Sequence, residues 1–183
     1  GPDSVYLGEQ LAALLPAERL VVAHFDHRLR PESGADATFC RDWAAAKGLT
    51  YVQEEWMHPR QSEGEARAAR LEFLQRISVE EQADAVALGT HADDEAETLM
   101  FRFLRGSGLS GLSGIRPFDR ETKLFRPLLA LTKAEILDHL HTHATPYCVD
   151  ATNTESGYAR NYLRNRVFPL LQEKFPGFGG RLR

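Results

Sequence analysis

The sequence predicts an α/β fold: an open parallel sheet flanked by helices, with the chain ending in a helical segment. Three observations predict it. Short apolar runs recur at Leu20–Asp26, Thr50–Trp56 and Ala85–Thr90, the length and residue choice of strands buried in a parallel sheet. Segments with helical spacing of apolar residues separate them, which is the alternation of a βαβ series. Composition excludes the other broad classes. Of 183 residues, 43 % are hydrophobic and 26 % charged, ordinary globular values. No apolar run approaches the roughly 20 residues that span a bilayer.

The elements follow in order. Asp3–Leu15 reads as a helix, with apolar Val5, Leu7, Leu11, Leu14 and Leu15. An α/β domain rarely begins on a helix, so the first strand is expected upstream of Gly1. After the Leu20–Asp26 strand, Ser33 stands three residues before Asp36, a capping-box-like start for a helix through Ala46 that Gly48 stops. Thr50–Trp56 is the next strand and Glu63–Glu81 the next helix. The Ala85–Thr90 strand leads into a helix from Ala92 to Leu104. Residues 105–114 hold four glycines and three serines and predict a loop. Thr132 and Glu135 form a T-x-x-E capping box opening a helix to about His141. A last helix is predicted from Tyr158 to Lys174, ended or kinked near Pro169.

Two cysteines, Cys40 and Cys148, lie far apart in sequence, which excludes a Cys-x-x-Cys centre and a disulfide scaffold. Gly1–Ser4 lacks the basic start and apolar core of a signal peptide. A cytoplasmic setting is expected. The net charge of −4 conceals an asymmetry: residues 1–100 carry 9 Lys/Arg against 19 Asp/Glu, and residues 101–183 carry 13 against 7. A basic half suits an anionic partner such as a nucleic acid, and an uneven solvated surface produces the same count.

Parallel sheets bind ligands at the carboxyl ends of their strands, so the strand-to-helix junctions carry the functional candidates. Gly1-Pro2-Asp3-Ser4 enters a helix and suits a phosphate. A plain Asp/Ser helix cap accounts for the same four residues. No G-x-x-x-x-G-K-[ST] occurs, so an ordinary P-loop NTPase is excluded. At the second junction, Ala23-His24-Phe25-Asp26-His27-Arg28-Leu29-Arg30, polar residues cluster at a strand end, for binding or simply as a satisfied terminus. The third, His91-Ala92-Asp93-Asp94-Glu95-Ala96-Glu97-Thr98, is the most informative. Helical spacing places His91 with Asp94, and Asp94 with Glu97, on one face. Their mutual repulsion calls for a cation, a metal or a substrate ammonium.

The run His91–Thr98 followed by Arg102-Phe-Leu-Arg105 and the Gly/Ser stretch to Gly114 resembles the tRNA(Ile)-lysidine synthetase family of PP-loop (N-type) ATP pyrophosphatases. Gly1–Ser4 resembles the end of the family's S-G-G-x-D-S loop. Further blocks match in order: His24–Arg30, Glu65–Arg67 with Ala69–Leu71, Arg126–Leu129, Asp150–Asn153, then Arg160-Asn161 with Arg164-Asn165-Arg166 and Pro169. The resemblance implies an adenine nucleotide alpha-hydrolase-like fold over residues 1–183, with an α/β core to residue 130 and a helical end from 131. The stretch between Trp56 and Glu65 is shorter than the family's usual one, and the family continues past Arg183 into further tRNA-binding parts.

The resemblance also implies a reaction and its participants. ATP adenylates the C2 oxygen of the anticodon wobble cytidine of tRNA(Ile), and free L-lysine then displaces AMP to form lysidine. ATP and Mg²⁺ are the implied cofactors, without assigned metal ligands, and tRNA(Ile), L-lysine and a candidate homodimer the implied partners, with no membrane. Gly1, Pro2, Asp3, Ser4, Ala23, His24 and Arg105 are the implied ATP contacts. Asp3, Asp94, Glu97 and His91 are the implied catalytic residues, and Arg160, Arg164 and Arg166 the implied tRNA contacts. Three other readings compete: another PP-loop enzyme (a tRNA thiolase or an amidotransferase-type synthetase), a metal hydrolase built on His91, Asp93, Asp94 and Glu97, and a non-catalytic RNA-binding fragment.

Overall fold

A computed structural model describes residues 1–28, 33–57, 63–148 and 159–182. The block Asp150–Asn153, Leu29 and Arg30, and Tyr158 at the predicted start of the last helix lie outside the described residues. The chain divides into two compact units: one of residues 1–7, 87–120 and 124–183, the other of residues 8–86 and 121–123.

The second unit is built on a parallel pair. Strand β1 (Val21–Asp26) lies beside β2 (Thr50–Glu55), with Val21 opposite Thr50 and Asp26 opposite Glu55. Helix α2 (Ser33–Ala46) makes the crossover, and α3 (Glu63–Glu80) follows β2. Phe25, Phe73 and Ile77 form the centre of a core that Ala23, Val52, Trp56, Ala69 and Leu74 complete. Helix α1 (Pro2–Leu14) precedes β1. Its Gly8 lies so close to Trp43 that a Cβ there would come within 2.5 Å of the indole. Glu9 secures the contact, accepting from Trp43 Nε1 and from Lys47 Nζ, both at 2.8 Å.

At the end of β1 the buried Asp26 carboxylate accepts from the Arg28 backbone N–H at 2.8 Å and from the Ser33 hydroxyl at 3.2 Å. Ser33 is itself the first residue of α2, and its side chain reaches back to the strand end. This junction satisfies a buried carboxylate, as a burial cost of several kcal/mol demands.

The remaining elements belong to the first unit, except that Val86 of β3 is counted with the second. Strand β3 covers only Val86–Ala87, shorter than the predicted Ala85–Thr90, and α4 spans Ala92–Leu104 as predicted. A hairpin that the sequence reading missed, β4 (Phe118–Asp119) with β5 (Leu124–Phe125), is antiparallel, and β5 lies between β3 and β4. The Gly/Ser stretch is not wholly irregular: Leu109–Leu112 winds as a 3₁₀ turn. Helix α5 (Lys133–Thr142) begins at the predicted box, with the Thr132 hydroxyl accepting from Glu135 N. Its Ile136 and Leu140 are fully buried.

The last predicted helix is present and uninterrupted from Ala159 to Lys174: α6 (Ala159–Tyr162) winds through a π-helical turn, Leu163–Val167, into α7 (Phe168–Lys174), and a short α8 (Phe178–Arg181) follows it. Pro169 has no N–H to give and its ring crowds the carbonyl four residues back. The wider π turn just before it accommodates that defect.

Candidate active site

The first unit brings the ends of α1, α4 and α5 together around a set of charged side chains. Pro2 is the first residue of α1, where its missing N–H costs nothing. Asp3 follows in the first turn, favoured by the helix dipole. Gly89, just past β3, packs directly beneath it: a Cβ at Gly89 would stand 3.0 Å from the Asp3 carbonyl carbon. That contact is backbone, so it cannot swing aside. Gly89→Ala is therefore expected to displace the start of α1 and lower stability by about 1–3 kcal/mol, read by denaturant titration. An unchanged midpoint would mean that this close approach does not set the turn.

His91 caps α4 with an extended backbone and is buried. Its backbone N–H donates to Asp94 Oδ2 at 3.0 Å. The ring sits amid carboxylates, with Nε2 at 3.5 Å from Asp94 and 3.8 Å from Asp3, and Nδ1 at 3.7 Å from Asp93. Nδ1 is fully buried with no hydrogen-bond partner among the described residues.

Two cations complete the cluster. Lys133, the first residue of α5, uses both its donors: the backbone N–H meets Asp93 Oδ2 at 2.6 Å and Nζ meets Asp3 Oδ1 at 2.5 Å. Arg164, from the π turn, forks onto Glu97, with Nε 2.6 Å from Oε1 and NH2 2.7 Å from Oε2. The same NH2 lies 3.4 Å from Asp94 Oδ1. Glu97 is buried, and burial is the largest influence on its carboxyl, raising its pKa above the ordinary value against the opposing pull of Arg164. Bonding to Glu97 likewise raises the Arg164 pKa, so the guanidinium stays charged.

Residues 1–171 match the PP-loop domain family. The chain belongs to that family. A tRNA(Ile)-lysidine synthase of Solibacter usitatus is 44 % identical to this PP-loop chain over 173 residues, covering 93 % of it and 39 % of the relative. The Bacillus subtilis protein of the same name is 33 % identical over 190 residues, covering 96 % of this chain and 40 % of that one. The chain thus spans about two fifths of the length of these relatives. The fold also matches a solved U34-tRNA thiolase from Methanococcus maripaludis with a TM-score of 0.78 at 16 % identity, over 100 % of this chain and 66 % of that one.

The first unit gathers Asp3, His91, Asp94, Glu97 and Arg164 from the residues the sequence singles out, together with the rest of the Gly1–Ser4 turn. Arg164 is engaged by Glu97 and Asp94 rather than standing on an open basic face. Arg166, two residues on, is exposed. The Arg160 side chain lies outside the described residues. Arg105 caps the end of α4 with its guanidinium 4.2 Å over the Phe101 ring. Ala23 and His24 lie on β1 in the other unit, where burial lowers the His24 pKa and favours the neutral ring.

Lys133 escaped the sequence reading, although the capping box that places it was noted. It lies 130 positions from Asp3, and no local spacing links residues so far apart. Two other α4 side chains secure the Gly/Ser stretch. Arg102 donates to the carbonyls of Gly111 at 3.0 Å and Gly114 at 3.3 Å, and Glu95 accepts from Ile115 N at 3.1 Å. No helix among the described residues is long and apolar enough to cross a membrane.

Proposed function

We propose that the chain is the catalytic part of an ATP-dependent tRNA-modifying ligase that joins free L-lysine to the wobble cytidine of tRNA(Ile) carrying a CAU anticodon. The observation that carries this reading is the pair of buried Glu97 and half-buried Asp94 holding a cationic nitrogen in the same unit as the start of α1. The names of the relatives support the choice of tRNA and product.

ATP fits the start of α1. The first-turn N–H groups lack intrahelical partners, Ser4 is exposed, and the Lys133 ammonium offsets the Asp3 charge that would oppose a phosphate. In this reading Gly1–Ser4 hold the phosphates, with Arg105 available to a phosphate or to the anticodon loop. Mg²⁺ would be carried largely on phosphate oxygens, as its reluctance to dehydrate favours, with Asp3 the loop's carboxylate. Among the described residues, no group of three or more His, Cys, Asp or Glu could hold a metal by itself.

The chemistry then follows. The C2 oxygen of cytosine is a poor leaving group until it attacks the α-phosphate of ATP and pyrophosphate departs. Lysine's ε-amine attacks C2, and AMP leaves with that oxygen. The amine arrives as an ammonium with an ordinary pKa near 10.4, so it must be bound as a cation and then lose a proton. Asp94 and Glu97 meet both needs. A carboxylate whose pKa burial has raised is a stronger base than one in water. His91 supports Asp94 from below.

The rival readings fit the residues less well. A metal hydrolase on His91, Asp93, Asp94 and Glu97 would need oxygens that Asp93 and Glu97 already give to Lys133 and Arg164. Sulfur transfer would need reactive thiols, and burial pushes the Cys40 thiol up toward its inert protonated form.

Mass spectrometry of tRNA(Ile) incubated with the protein, ATP, Mg²⁺ and labelled lysine tests the proposal. Lysine bound to the anticodon with AMP and pyrophosphate released is the expected result. Absence of all three overturns it. Arg166→Ala should weaken tRNA binding across sequences and reduce the slope of log affinity against log salt by about 1. An unchanged slope would take Arg166 out of the RNA contact.

A further inference from the structure

We propose that Arg164 is an internal occupant of the amine seat, a stand-in cation that substrate ammonium must displace before it can bind. The inference rests on the reading above, that Asp94 and Glu97 receive lysine's ε-ammonium. It goes further by assigning the closed state of that seat to one side chain.

One cation spans the pair. Both Glu97 oxygens accept from the fork, and the Glu97 side chain is only 7 % exposed, so a second donor would have to come in past the guanidinium. The guanidinium also reaches Asp94, the other carboxylate an ammonium would need. One positive charge spans two carboxylates, the same charge complement a lysine head would bring. A bidentate Arg–carboxylate pair is a strong interaction, so the seat is closed in this state.

Arg164 is nevertheless built to leave. Its side chain is 40 % exposed, far more open than the Glu97 it holds. It rides on the π turn Leu163–Val167, not on regular helix. A π turn carries one residue more than an α-helix would, and relief of that surplus rotates the following or preceding residues by about 100°. A segment with two accessible windings can present the guanidinium to the seat in one and withdraw it in the other. A ligand that binds only the open form has its apparent affinity reduced by the open fraction.

Calorimetric titration of the protein with L-lysine at about pH 8 tests the assignment in wild type, Arg164→Gln, Arg164→Lys and Glu97→Gln. Arg164→Gln should bind L-lysine about tenfold more tightly than wild type. Arg164→Lys, which keeps the charge without the fork, should fall between them and carries the test if the glutamine variant does not fold. Equal or weaker binding in the Arg164 variants, with binding still lost in Glu97→Gln, overturns the occupant while leaving the amine seat standing. Binding of L-lysine that Glu97→Gln does not weaken, or no binding in any form, overturns the seat and the occupant together.

Discussion

Glu97→Ala is expected to lower lysine incorporation into tRNA(Ile) by about 10²-fold or more, while ATP affinity changes by about twofold at most. The asymmetry follows from position. Glu97 lies on the second turn of α4, and among the described residues its two oxygens accept from the Arg164 fork. Asp3 and the Gly1–Ser4 turn are instead tied to Lys133. Removing Glu97 therefore strips the proposed amine seat of its buried carboxylate without touching the turn proposed for phosphate. The variant also strands the Arg164 guanidinium, so Glu97→Gln, which keeps the volume and one acceptor, is the matched comparison. Parallel measurements of ATP binding and of the lysine dependence of incorporation decide the matter. Loss of ATP affinity with the lysine dependence unchanged would give Glu97 a different role.

Leu140→Ala carries the largest expected effect on stability, a loss of about 2–5 kcal/mol. Leu140 and Ile136, one turn apart on α5, are the largest fully buried side chains among the described residues. Each sits where a truncated side chain leaves a cavity in a close-packed interior. The consequence extends beyond stability, because the same helix starts at Lys133 and holds Asp3 and Asp93 in place. Denaturant titration should show the midpoint falling with little change in slope. A loss below about 1 kcal/mol would mean that the surrounding core collapses to fill the space.

Local order was the legible part of the sequence. The periodicity of residues 92–104 and the Thr132–Glu135 box defined α4 and the start of α5 correctly, because both depend on neighbours within one or two turns. The two-residue strands β3, β4 and β5 were read too long or missed, since so few residues show no alternation and are fixed by their partners. In the site, the acidic face of α4 was legible from spacing alone, and so was its need for a cation. The identity of that cation was not. Arg164 comes from 67 positions beyond Glu97, and in the sequence it reads as one more arginine in a basic segment. The π turn that aims it leaves a sequence trace only in Pro169, which announces a defect without saying which winding will absorb it.

The Asp93 carboxylate stands in the first turn of α4 while accepting the leading N–H of α5. One negative charge thus serves the positive ends of two helices. It acts as a shared electrostatic anchor, so the two helices cannot be tuned independently at this point. Neutralising it as Asn would weaken both helix starts in a single change, and through Lys133 that slack would reach Asp3 as well.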